Sequence, residues 1–123
     1  MHINDLTGQI IGAAIEVHKE LGPGLLESVY EECLAFEFDR RKIEYERQKR
    51  LPIVFKGKEI SSEYRIDIVV ANQVILEIKA CESLLPIHEA QLLTYLKLSG
   101  IHTGLLINFN VPVLKDGVRR LVL

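Results

Sequence analysis

Asp67 is followed, after nine intervening residues, by Glu77-Ile78-Lys79, so that two acids and a lysine sit inside two apolar runs. Paired carboxylates can hold a divalent cation, and an ammonium group two residues on stands where a water nucleophile or a charged phosphate would be. That is what metal-dependent phosphodiester hydrolysis requires. Apolar strands do not ordinarily place Glu and Lys at successive positions on one side, and the departure from pattern marks the place. A second set follows: Gln91 and Tyr95 lie four residues apart in a helical stretch, with His88 a turn earlier. Polar pairs at this spacing share a helix face. A solvated stripe would look the same, and the interest of this one comes from its following the Glu-x-Lys run directly.

The elements that must position these residues are legible from periodicity. Leu6, Ile10, Ala13, Ala14, Val17 and Leu21 recur at helical spacing and predict a helix over Ile3–Leu21, stopped by Gly22-Pro23-Gly24. A second helix is expected over about Leu26–Lys42, with Tyr30, Leu34 and Phe38 on one stripe and Glu27 in its first turn. Extended segments follow: Tyr45–Phe55, interrupted or edged at Pro52; Ile60–Val70 after a Lys56-Gly57-Lys58 turn; and Val74–Cys81 after Ala71-Asn72-Gln73. Helical period returns over Pro86–Ser99, ended by Gly100, and strands are expected at His102–Phe109 and Val118–Leu123. The order ααβββαββ implies an α/β fold, with a mixed sheet of about five strands flanked by helices.

Side-chain alternation sets the register of the middle hairpin. Tyr64, Ile66, Ile68 and Val70 share one face of their strand, and Val74, Leu76, Ile78 and Ala80 share one face of the next. Matching the apolar faces pairs Val70 with Val74, Ile68 with Leu76 and Ile66 with Ile78, through a three-residue loop. Asp67 then faces Glu77, and Arg65 faces Lys79. Two carboxylates about 5 Å apart across a ladder repel unless a cation or a proton intervenes. A solvated ladder of Arg65, Asp67, Glu77 and Lys79 is the alternative, and the apolar residues on both faces argue against it.

Bulk properties bound the rest. The 123 residues, 48% hydrophobic and 26% charged, suit one domain over residues 1–123, able to bury roughly two-thirds of its unfolded surface. The net charge of -2 lacks the overall basic footprint of a constitutive nucleic-acid binder. Charge is uneven, however: Arg40, Arg41, Lys42, Arg47, Lys49, Arg50, Lys56 and Lys58 cluster against only Glu44 and Glu46. That stretch reads as a solvated face or as a phosphate track. Cys33 and Cys81 match no zinc spacing and read as reduced thiols. With no apolar run of ~20 residues and no signal-peptide pattern in MHINDLTG, a cytoplasmic location without membrane contact is expected.

The succession Asp67, Glu77-Ile78-Lys79, Gln91-Leu92-Leu93-Thr94-Tyr95 resembles the PD-(D/E)XK nuclease superfamily, in particular its RecB-like branch with a trailing QxxxY. Gly24-Leu25-Leu26-Glu27-Ser28-Val29-Tyr30 is similar to the signature of the GxxExxY family within it, as are Glu16-Val17-His18-Lys19 and Leu21-Gly22-Pro23-Gly24. The resemblance covers nearly the whole chain, though the proline that often precedes the first acid is absent, Asp67 following Arg65-Ile66. It implies Mg²⁺ or Mn²⁺ held by Asp67, Glu77 and the carbonyl of Ile78, with Glu27 and His18 as further ligands. Lys79 would assist water attack, Gln91 and Tyr95 would orient the site or touch the backbone, and the substrate would be DNA in preference to RNA. Each has a structural reading as well: Glu27 would favour the helix N-terminus, His18 the helix C-terminus, and Tyr30 core packing. With little chain beyond the core, a homodimer or larger complex, or a non-catalytic nucleic-acid-binding or interaction module, is the other expectation.

Overall fold

The computed structural model describes residues 2–123. Two helices open the chain, α1 (Ile3–Leu21) and α2 (Glu27–Arg41). Strands β1 (Tyr45–Arg50), β2 (Ile53–Phe55), β3 (Lys58–Ser61), β4 (Arg65–Val70) and β5 (Val74–Lys79) follow, then α3 (Pro86–Ser99), β6 (Thr103–Asn108) and β7 (Val118–Val122). The main sheet has the order β1-β4-β5-β6-β7. Only β5 and β6 run parallel, and α3 is the crossover that such a pair needs. The expected α/β class with a five-stranded mixed sheet flanked by helices is therefore observed. No helix among the described residues is long and apolar enough to cross a membrane.

Each face of the sheet has its own core. Ile10, Ala13 and Ala14 of α1 and Tyr30, Leu34 and Phe38 of α2 pack on Ile68, Val70, Val74, Leu76, Ile78, Leu105 and Ile107. On the other face, Leu92, Tyr95 and Leu96 of α3 pack with Ile66, Val69, Ile75 and Leu106. A side chain at Gly104 on β6 would bring its Cβ within 2.8 Å of Leu92 Cδ1, so glycine lets α3 lie close on the sheet.

Two expected strands are each broken. Tyr45–Phe55 splits at Leu51-Pro52, where proline lacks the N–H a ladder needs, and Ile60–Val70 splits at residues 62–64. The freed pieces, β2 and β3, form a separate hairpin whose second strand starts at Lys58 rather than Ile60. Lys56 and Gly57 turn it, at φ 49° and 82°, the left-handed pair that suits a two-residue connection.

Candidate active site

The β4–β5 ladder has the expected register at Val70–Val74, Val69–Ile75 and Ile68–Leu76, and it stops there. At the next position side chains replace the backbone ladder. The Asp67 N–H donates to Glu77 Oε2 at 2.9 Å, and the Ile78 N–H donates to Asp67 Oδ2 at 2.8 Å. Each carboxylate thus accepts from the opposite strand and holds the pair apart. The expected Ile66–Ile78 and Arg65–Lys79 pairs are absent from the ladder for this reason, and Arg65 turns to the carbonyls of Ser62 and Tyr64. Alternation breaks at the same residue. Ile66 packs beside Val69 under α3, on the face opposite Ile68. On the other side of β4, the β1 ladder skips the position where Gln48 would meet Asp67, and Gln48 has a left-handed φ of 50°. Asp67 therefore sits where β4 is released from both neighbours.

That release leaves acceptors open. Within the chain, Asp67 Oδ1 and Glu77 Oε1 have no hydrogen-bond partner among the described residues, and no buried side-chain oxygen or nitrogen lacks one. The two free oxygens accordingly face solvent space. In an extended strand the N–H and C=O of a residue point the same way, so the Ile78 carbonyl opens toward Asp67 as its N–H does. Two carboxylate oxygens and a carbonyl are a hard donor set of the kind Mg²⁺ and Mn²⁺ prefer.

Electrostatics follow from enclosure. Glu77 is buried, and burial pushes its carboxyl up to about 8, with the Asp67 charge adding to it. Asp67 is raised too, first by burial and then by the charges of Glu31 and Glu27, while the Ile78 N–H and Lys79 pull the other way. Without a cation, the pair holds a proton at neutral pH. Lys79 continues β5 on the Glu77 side, half-buried and in no ion pair among the described residues.

Glu27 reaches this end of β5: its Oε2 accepts the Ala80 N–H at 3.2 Å. It also borders a depression of about 420 Å³ with Leu25, Leu26, Ser28 and Ala80. The rest of the GxxExxY pattern builds the support. Gly24 has a φ of 101°, and Tyr30 donates to Gly22 O at 2.6 Å and accepts from Leu25 N–H at 3.1 Å. The Tyr30 ring stacks on Phe109 with centroids 4.5 Å apart. Its hydroxyl pins the loop that aims Glu27.

On α3, Tyr95 lies near the carboxylates: burial raises its hydroxyl pKa, and the charges of Glu77, Tyr64 and Asp67 add to that. Gln91, one turn earlier, shares a groove with Tyr95. His88 is placed elsewhere, its Nδ1 accepting the Leu85 N–H at the start of α3. His18 is not brought to the carboxylates by any contact it makes. Its Nε2 is bonded to Val111 O at 2.8 Å and its ring tilts against Phe109, because the last turn of α1 points toward the segment after β6. Among the described residues, no group of three or more His, Cys, Asp and Glu side chains converges to hold a metal ion.

Other contributors carried no motif. Buried Glu31, one turn after Glu27, takes Arg47 Nε at 3.0 Å and Gln48 Nε2 at 2.8 Å, and its charge reaches both Asp67 and Glu77. Asn108, at the end of β6 beside Lys79, clamps Cys81 through both its N–H and its carbonyl. A buried polar side chain between apolar ones was the only sequence signal for Asn108, and a helical glutamate ordinarily reads as solvated. The basic stretch is largely neutralised: Arg40 and Arg41 pair with Glu37, Arg47 with Glu31, Lys49 with Glu46, and Arg50 with Glu59.

Comparison with known families agrees with this geometry: the profile of the PD-(D/E)XK nuclease superfamily matches residues 4–121. No curated protein and no solved structure matches the chain.

Proposed function

The chain belongs to the PD-(D/E)XK nuclease superfamily, and on that footing we propose that it is a Mg²⁺- or Mn²⁺-dependent nuclease that hydrolyses phosphodiester bonds in DNA. The observation that carries this reading is the gap in the β4–β5 ladder. There Asp67 and Glu77 each commit one oxygen to the opposite backbone and keep the other free. A structural salt-bridge ladder would not bury two facing acids at the cost of lifting Glu77 to about 8. In this reading Asp67, Glu77 and the Ile78 carbonyl hold the cation, and Glu27 extends the acidic lining. A cation bound there would polarise the phosphate and favour deprotonation of water. Lys79 orients the attacking water and stabilises charge gathering on the phosphorane oxygens. Tyr95, kept protonated by its surroundings, donates toward the phosphate, and Gln91 orients the strand beside it. His18 braces the segment after β6. Within the superfamily we place the chain with the GxxExxY proteins, in the RecB-like branch, on the work that Gly24, Glu27 and Tyr30 do together. The free thiols Cys33 and Cys81 suit a reducing cytoplasm.

Cleavage of a labelled DNA by wild type and Lys79→Ala with Mn²⁺ tests it. The variant should lose at least about a hundredfold in rate with an unchanged melting temperature, and wild-type cleavage by it would contradict the mechanism. One observation favours a second reading, a binding module on the same scaffold: no three metal-binding side chains converge among the described residues. That reading expects DNA binding with neither Mn²⁺ affinity nor cleavage.

A further inference from the structure

Beside the carboxylates lies a groove of about 510 Å³ that the reaction does not explain. One wall is the β2–β3 hairpin and the segment leading into β4, contributing Ile53, Ile60 and Tyr64; the other is the outer face of α3, with Ile87 and Leu98. Polar groups are few: Gln91, Thr94 and Tyr95 along α3, and Ser61 on the hairpin side. Such a hollow, mostly apolar with a few placed polar groups, suits a flat heterocycle better than a phosphate chain. Tyr64 and Ile87 are 48% and 67% exposed, so an aromatic face and an aliphatic wall are open to a ligand now. Tyr95 belongs to both places. It lines the groove, its hydroxyl has no partner within the chain among the described residues, and its ring belongs to the same packed cluster as Ile66, the residue before Asp67.

We infer that this groove receives an unstacked nucleobase next to the scissile phosphate, with Tyr64 as its stacking platform, so that the substrate is single-stranded or locally opened DNA. The inference rests on the nuclease reading for the place of the phosphate. A base within an intact duplex cannot enter the groove, whereas every single-stranded base has a face to stack. Gln91 and Thr94 offer amide and hydroxyl groups to the base edge, which adds modest preference without a code.

The test is fluorescence anisotropy of the full chain in EDTA with a short labelled single strand and with its duplex, alongside cleavage of both in Mn²⁺. Wild type should bind the single strand at least tenfold more tightly. Tyr64→Ala should weaken single-strand binding roughly 5- to 150-fold and leave duplex binding unchanged. Tyr64→Phe should retain it, and Ile87→Glu, at an exposed position that folding does not use, should weaken it as well. Equal binding of the two forms, or cleavage of both at equal rates by wild type and Tyr64→Ala, overturns the inference and leaves the nuclease reading standing. Single-strand binding lost in Tyr64→Ala but with no cleavage in Mn²⁺ supports the inference and removes the nuclease reading. Sedimentation showing a dimer that Ile87→Glu dissociates would assign the groove to a second copy and also overturn it.

Discussion

Glu77 holds its carboxyl in a buried place beside a second acid. Its carboxyl is lifted to about 8 by burial and by Asp67, far above its value in an unfolded chain. The folded protein therefore binds this proton between about pH 4.5 and 8 while the unfolded chain has lost it. Stability of the metal-free protein is then highest at the acid end of that window and falls as pH rises through about 8. Glu77→Gln keeps an acceptor for the Asp67 N–H and removes the titration. Its melting temperature should exceed that of wild type at pH 8 and match it near pH 5, as scanning calorimetry in EDTA would show. Tyr30 tests the support behind Glu27. Tyr30→Phe removes two hydrogen bonds that hold the Gly22–Leu26 loop and should cost about 1–3 kcal/mol in urea denaturation.

At the scale of elements, the carboxylate pair was legible because the hairpin register was. A three-residue loop and two apolar faces leave one pairing, and that pairing holds from Val70 to Ile68. What alternation could not reveal is that Asp67 and Glu77 would take the ladder's N–H groups for themselves, which ends the pairing and sends Ile66 to the other face. Pro52 was legible as an interruption and Lys56-Gly57-Lys58 as a turn, but the independent hairpin was not, because Ser62-Glu63-Tyr64 carries no glycine or proline to signal the break between β3 and β4. The close seat of α3 was equally hidden in one glycine. Gly104→Ala should force Leu92 outward and cost about 1–3 kcal/mol in denaturant unfolding. It should also slow cleavage, since α3 carries Gln91 and Tyr95.

Across the whole molecule, charge is more evenly matched than the sequence suggests. The basic run from Arg40 to Lys58, which reads as a solvated face or a phosphate track, is met by Glu31, Glu37 and Glu59 from outside it. Within the run Lys42, Lys56 and Lys58 remain without ion pairs among the described residues, and outside it so do Lys19, Arg65, Lys79, Lys97, Lys115, Arg119 and Arg120. Phosphate contacts from the three free lysines of the run and Lys79 alone would give a log K against log salt slope of about −4, measurable by anisotropy at several salt concentrations. A net charge of -2 leaves little long-range attraction to add, so recognition depends on what happens at the gap itself. Isothermal titration of Mn²⁺ into wild type, Asp67→Ala and Glu77→Ala at pH 7 addresses that directly. Wild type should show one site, with proton release as the cation displaces the shared proton, and both variants should lose affinity. Equal Mn²⁺ binding by all three proteins, or none by wild type, would contradict the cation site.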